Sequence, residues 1–322
     1  MSLDRIAVVG AGAWGTALAL AAHRAGRTVT LYGRDLGDMA ATRENRAYLP
    51  GIVLPADLAL TERIEDVLGA DAILIATPTQ TVRAVTARLA GIADDTPVVL
   101  CTKGLERGTE LRPTEVLGAA LPPAAPAVLS GPSFAADVAA GLPTAVTIAA
   151  AEPKLAMALC QALSSPSFRP YAETDMIGVE IGGAFKNVLA IAVGIVAGRA
   201  LGASAAAALT ARGFAELRRI GAALGARPET LMGLSGLGDL VLTCSSPQSR
   251  NFSYGLALGR GQTPAAVLVE GAATAAVARA LAARLGIDMP ITAQVAALVE
   301  GEIDIDGAMA ALMSRPLRHE TD

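Results

Sequence analysis

Lysine is scarce in this chain. Of 26 basic residues only three are lysine, Lys103, Lys154 and Lys186, and 23 are arginine. Where any cation would serve, the sequence writes arginine. A retained lysine therefore marks chemistry that a guanidinium cannot do, such as giving up a proton. Lys154 reads as chance. Lys186 stands in Glu-Ile-Gly-Gly-Ala-Phe-Lys-Asn (residues 180–187). Gly183, Asn187, Ala190 and Gly194 recur there at helical spacing, which lays a strip of small and polar residues where an apolar face is expected. Such a strip admits a ligand or another backbone. The plainer reading of Lys186 is a side chain snorkelling from a core helix. Histidine offers little competition, because His23 lies in the first helical stretch and His319 in the tail. A histidine-based hydrolase or dehydrogenase is disfavoured.

Further segments mix hydroxyls, glycine and charge. Thr77-Pro78-Thr79-Gln80, Thr102-Lys103-Gly104 and Ser130-Gly131-Pro132-Ser133-Phe134-Ala135 each follow a strand-like run, at the sheet edge where α/β folds bind ligands. Gly236-Leu237-Gly238-Asp239-Leu240 supplies a carboxylate. Ser249-Arg250-Asn251 precedes a helical stretch; an arginine beside helix-terminal N–H groups suits a phosphate, and a hydroxyl-rich helix cap is the plain alternative. Glu270 is an isolated carboxylate between apolar runs, near where a nicotinamide would lie.

Gly10-Ala11-Gly12-Ala13-Trp14-Gly15 is a GxGxxG directly after the first strand-like run. In that context Gly10, Gly12 and Gly15 permit a tight turn, close approach of a pyrophosphate and close helix–strand packing. The second strand-like run ends in Tyr32-Gly33-Arg34-Asp35. Arg34 suits a 2′-phosphate and Asp35 a ribose hydroxyl, so NADPH and NADH are both admitted, with NADP preferred. A solvated surface charge is the other reading of Arg34.

The elements that must position these groups follow from the apolar pattern. Runs at 5–9, 28–32, 72–76, 97–101, 127–129 and 144–148 are continuous rather than alternating, as expected of strands covered on both faces. Helical stretches at 16–25, 64–68, 81–90 and 114–121 lie between them. This is an α/β, Rossmann-type, doubly wound and mostly parallel sheet. From residue 173 onward strand-like runs nearly vanish, and helical stretches at 176–197, 203–224, 228–231, 254–258, 272–285, 291–299 and 307–313 follow. Gly225, Gly259 and Gly286 stand where helices should end. The division expected is a dinucleotide-binding domain over 1–173 and an all-helical substrate domain over 174–322, with a frayed tail after Leu317.

Composition narrows the class. The chain has 322 residues, 52% hydrophobic and 17% charged, which excludes a disordered protein. Its net charge of -4 argues against nucleic acid as a partner. The apolar stretch around residues 176–196 carries Glu180 and Lys186, costly at mid-bilayer, so no integral membrane segment is expected. No secretory signal is apparent, which makes the cytoplasm the expected compartment. Cys101, Cys160 and Cys244 lack metal spacing, and no metal is expected.

Taken together, residues 10–15 with Trp14, the Asn-Arg-Ala-Tyr-Leu-Pro-Gly of 45–51, and segments 102–104, 130–135, 180–187, 236–240 and 249–251 resemble the bacterial NAD(P)-dependent glycerol-3-phosphate dehydrogenases, over about residues 5–313. The resemblance implies a Rossmann domain plus a helical domain. It implies interconversion of dihydroxyacetone phosphate and sn-glycerol 3-phosphate, mainly as reduction to supply phospholipid synthesis. It implies Lys186 as proton donor and acceptor, with Lys103, Gly131, Ser133, Asp239, Ser249, Arg250 and Asn251 around the phosphorylated substrate. Ala13, Trp14, Arg34, Lys103, Ala135, Arg250, Leu268 and Glu270 would contact the cofactor; position 13 is alanine where many relatives have serine. Members of the family often form homodimers. Two other readings remain: another β-hydroxyacid-type dehydrogenase or reductase, and a non-catalytic NADP(H)-sensing module. The Ser249-Arg250-Asn251 segment favours a phosphorylated substrate over the first, and a sensor has no use for Lys186 or Asp239.

Overall fold

The computed structural model describes residues 3–265, 268–317 and 319. Its first half is one eight-stranded sheet: β1 (Arg5–Val9), β2 (Thr28–Tyr32), β3 (Ala59–Thr61), β4 (Ala72–Ile75), β5 (Pro97–Leu100), β6 (Ala125–Ser130), β7 (Thr144–Ala150) and β8 (Phe168–Glu173). The spatial order is β3-β2-β1-β4-β5-β6-β7-β8. Every neighbouring pair is parallel except β6 and β7. The order reverses between β1 and β4, which opens a crevice at their carboxyl ends, where such sheets take ligands. All four residues of β4 and of β5 are buried, because helices cover both faces.

The helices of this half are α1 (Ala13–Arg24), α2 (Met39–Thr42), α3 (Val82–Ala87), α4 (Pro113–Ala120), α5 (Ala135–Ala139) and α6 (Pro153–Leu163). One apolar layer joins α1, α5 and α6 to the sheet, and the opposite layer joins α3 and α4 to it. The apolar pattern does not show β3, β8, α2, α5 or α6. β3 has three residues, too few for a pattern. β8 reads Phe-Arg-Pro-Tyr-Ala-Glu with a single buried residue, and its proline is tolerated because β8 is an edge strand. Residues 64–67 form a tighter 3₁₀ turn rather than an α-helix.

The second half consists of α7 (Met176–Gly198), α8 (Ala203–Ala223), α9 (Pro228–Met232), α10 (Asp239–Ser245), α11 (Arg250–Gly259), α12 (Glu270–Leu285), α13 (Pro290–Val299) and α14 (Ile305–Met313), with a wide π turn at Leu234–Gly238. No strand follows β8 among the described residues. Asp175 caps α7, its Oδ1 accepting from the Gly178 N–H at 2.8 Å. By length and composition α7 could cross a membrane, but most of its surface is buried within the protein. It is the axis on which α8, α10, α11, α12 and α13 pack.

The tightest of these contacts is α7 on α11. A Cβ at Gly255 would collide with the Ile191 carbonyl, and one at Gly194 with the Phe252 carbonyl. Much of the small-residue strip on α7 thus serves backbone contact between helices. Gly259 was expected just beyond a helix end. It lies inside α11, packed on Ile195 and Gly198, and the left-handed residue is Gly261. Gly286 does end α12 in the left-handed conformation. The expected frayed tail falls largely outside the described residues.

This packing separates two glycine-to-alanine changes. Gly255→Ala forces α11 off α7 and should destabilise the protein by about 1–3 kcal/mol. Gly118→Ala, at an exposed position in α4 with open space around it, should stabilise it by about 0.5–1 kcal/mol. Urea denaturation of both variants checks the pair.

Candidate active site

The three glycines of the loop between β1 and α1 meet different demands. Gly10 has φ +117°, a conformation L side chains avoid. A Cβ at Gly15 would strike the Gly10 carbonyl, whereas one at Gly12 would meet nothing within 4 Å. Gly12 is the N-cap of α1, with no side-chain cap and no acid in the first turn. The helix therefore begins at Ala13, earlier than the pattern indicated, and presents uncapped N–H groups to open space. Asn45, buried, fixes this loop from outside: its Nδ2 donates to the Ala11 carbonyl at 3.0 Å and to Thr16 Oγ1 at 2.7 Å. The Trp14 indole N–H donates to the Cys101 carbonyl at 3.0 Å, tying α1 to the end of β5. Arg34 is exposed just past β2 and makes no ion pair among the described residues. Asp35 uses Oδ1 to accept from the Gly37 N–H at 2.9 Å.

Two later loops, those after β5 and β6, and the helical half converge on Asp239. Its side chain is buried and is shared by two lysines. Lys103, from the loop after β5, donates to Oδ2 at 2.6 Å; Lys186, from α7, donates to Oδ1. Lys103 also reaches the Gly131 carbonyl at 3.2 Å, which accepts from Ser133 Oγ at 3.0 Å as well. The route for Lys103 is opened by Gly183, where a Cβ would lie 2.8 Å from Ser130 Oγ and 3.3 Å from Lys103 Cγ. Asp239 is delivered by the π turn at Leu234–Gly238, which lies against Gly182. Such wide turns are frequent at functional sites.

Burial is the dominant influence on Lys186 and pulls its pKa down to about 8. Asp239 works against that shift, and the Lys103 ammonium adds to it. The cluster holds two cations and one anion, so its formal excess is positive. This suits an oxygen that becomes negative during reaction.

Beside the cluster, Ser249 caps α11, its Oγ accepting from the Phe252 N–H at 3.2 Å and lying 2.9 Å from Thr243 Oγ1. The Asn251 amide donates to Asn187 Oδ1 at 2.9 Å and accepts from the Gly271 N–H at 2.9 Å, joining α11 to α7 and α12. These two side chains, expected around a substrate, also brace the scaffold through these bonds. The first-turn N–H groups of α11 and the exposed Arg250 guanidinium are what this corner offers an anion. Glu270 begins α12 and bonds Thr79; burial pushes its pKa up, while the Thr79 bonds, Arg250 and Arg107 pull it down. Ala135 opens α5, and Leu268 is about half exposed. Asn45, Thr79 and Asn187 carry much of this geometry. The sequence contained them within quoted segments but gave no sign of their partners.

A family profile described as the N-terminus of NAD-dependent glycerol-3-phosphate dehydrogenase matches residues 5–156, and one described as its C-terminus matches residues 175–310. The chain belongs to the NAD-dependent glycerol-3-phosphate dehydrogenase family. It is 59% identical over 320 residues to a glycerol-3-phosphate dehydrogenase [NAD(P)+] of Bradyrhizobium sp. (strain BTAi1), covering 98% of each chain. Among solved structures, a glycerol-3-phosphate dehydrogenase from Coxiella burnetii superposes with a TM-score of 0.92 at 40% identity, over 97% of this chain and 99% of that one. A ketopantoate reductase from Ralstonia eutropha shares the fold at 16% identity and a TM-score of 0.60, over 92% of this chain and 97% of that one. The chain is thus an NAD(P)-dependent glycerol-3-phosphate dehydrogenase, as its motifs implied.

For this dehydrogenase the geometry around Gly183 yields a test. Gly183→Ala sets a methyl group against Ser130 Oγ and crowds the Lys103 side chain, and should lower kcat by about 10–100-fold, the cost of small misplacements in an active site. Affinity for NADPH, read by fluorescence titration, should fall less than kcat, because the residue 10–15 loop lies elsewhere and only the contact expected from Lys103 is disturbed.

Proposed function

We propose that this glycerol-3-phosphate dehydrogenase works mainly as a reductase of dihydroxyacetone phosphate, with NADPH preferred over NADH, and that Lys186 manages the proton. The observation that carries the reading is the single buried carboxylate of Asp239 shared between Lys186 and Lys103. A lysine brought down to about 8 is poised to give and take a proton near neutrality, which an ordinary lysine at about 10.4 is not.

The residues fit a dinucleotide. The open space at Gly12 and the uncapped start of α1 suit a pyrophosphate. Gly10, Gly15 and Ala13 shape that turn, and Trp14, Ala135, Leu268 and Glu270 are assigned to its flanks. Bound there, the cofactor supplies a hydride to C2 of the substrate. In reduction, the Lys186 ammonium donates a proton to the C2 oxygen as negative charge grows on it; in oxidation, the neutral amine accepts it. Asp239 holds Lys186 in place, and Lys103 adds a second positive charge over the same oxygen. Arg250, with the N–H groups at the start of α11 set by Ser249 and Asn251, takes the substrate phosphate. Gly131 and Ser133 line the path between the Lys103 loop and the substrate.

The assignment of residues 1–173 to dinucleotide binding and 174–322 to substrate binding belongs to this proposal. So do a cytoplasmic location, a homodimer, and a role in supplying glycerol 3-phosphate for phospholipid synthesis.

Two variants test the reading. Lys186→Arg keeps the charge but cannot usefully deprotonate, so kcat should fall about 10²–10⁴-fold with NADPH binding nearly intact. A near-normal kcat would leave Lys186 with a merely electrostatic part. Arg34→Ala should weaken NADPH by about 1.5–3 kcal/mol, the worth of a charged hydrogen bond, and spare NADH. Equal losses with both cofactors would remove Arg34 as the reader of the 2′-phosphate.

A further inference from the structure

Glu180 is a buried carboxylate that the proton chemistry above does not use. It lies on α7, six residues before Lys186, but all of its hydrogen-bond partners belong to the other half of the molecule. Oε1 accepts from the Thr114 N–H at 2.8 Å, and Oε2 accepts from Thr114 Oγ1 at 2.8 Å and from Arg112 Nη1 at 3.1 Å. Arg112 and Thr114 stand at the start of α4, the helix that follows β5 and the Lys103 loop. The intervening chain is held as well: Gln80 bonds the Leu105 carbonyl and the Arg107 N–H, and Arg83 pairs with Glu106. Thus the helix that carries one lysine of the Asp239 cluster is bolted to the segment that carries the other. An apolar contact of similar volume would bind the halves at least as well, since a buried ion pair is a weak source of stability. Directional bonds instead fix a register.

We propose that Glu180 is a positioning residue of the dehydrogenase: by locking α7 to the start of α4 it sets the spacing of Lys186 and Lys103 over Asp239. The inference rests on Lys186 as the proton carrier.

The charge of Glu180 matters to the lock. Burial pushes its pKa up to about 7, the Arg112 guanidinium and the Thr114 bonds pull it down, and Glu115 on the same turn of α4 pushes it up again. Below that pH the carboxyl takes a proton and loses its charge-assisted bond to Arg112. The lock loosens on the acid side, while Lys186 loses its proton on the alkaline side.

The test is the pH profile of kcat for dihydroxyacetone phosphate reduction by the intact protein, in wild type, Glu180→Gln and Arg112→Gln, beside NADPH titration by fluorescence. Wild type should decline below about pH 7. Glu180→Gln should lose about 10–100-fold in kcat, the range expected of a misplaced reacting group, and should lack that acid limb, with NADPH affinity preserved. Arg112→Gln should move the acid limb to higher pH, because the cation favouring the ionised carboxyl is gone. The substrate phosphate titrates identically in all three proteins, so the differences between profiles are the readout. A normal kcat in Glu180→Gln, an acid limb retained there, or NADPH affinity lost in step with kcat overturns the proposal. Should Glu180→Gln fail to fold, Arg112→Gln decides alone: a shifted limb supports the proposal and an unmoved one overturns it. Absence of an alkaline fall in wild type counts against Lys186 instead, and leaves the acid limb to judge Glu180.

Discussion

The buried carboxylate of Asp239 is the constraint around which the rest is arranged. A lone ionised group in that place would be costly, and so would two unpaired ammonium groups. Each charge is tolerable only because the others are present. The three groups come from the loop after β5, from the middle of α7 and from the π turn before α10. The cluster cannot assemble unless the sheet and the helical half are docked in one register. The fold supplies that register through contacts that only small residues permit, with Gly182 against the π turn, Gly183 against Lys103, and Gly194 and Gly255 at the crossing of α7 and α11.

Composition explains part of this economy. A chain that uses arginine for 23 of its 26 basic residues keeps lysine at both positions that touch Asp239. On the proton-carrying role proposed for Lys186, a guanidinium in its place would hold its charge throughout and could not serve. The rarity of lysine is therefore a usable signal in the sequence alone, because two of the three lysines meet at one buried carboxylate.

What was legible followed from local rules. The strand runs, the glycine loop and the long helices announce themselves within a few residues, through apolar continuity, fixed spacing and backbone demands such as that at Gly10. What stayed hidden depended on distant partners. No local pattern shows why Asn45 braces the glycine loop, why Asn251 joins three helices, or why Glu180 crosses to α4, since those bonds join positions 20 to 68 residues apart. Edge elements were hidden for another reason. β3 and β8 need little burial, so neither the length nor the apolar pattern of a central strand was required of them.

Burial and the neighbouring Lys103 cation outweigh the pull of Asp239, and on the proposed function this leaves Lys186 able to exchange a proton near neutrality. With three lysines in the chain, the side-chain nitrogen and Cε signals of Lys186 can be followed by NMR after selective lysine labelling, with Lys103 and Lys154 as internal comparisons. Lys186 should titrate near 8, well below an ordinary lysine. A titration at or above about 10.4, the value of an unperturbed lysine, would contradict it.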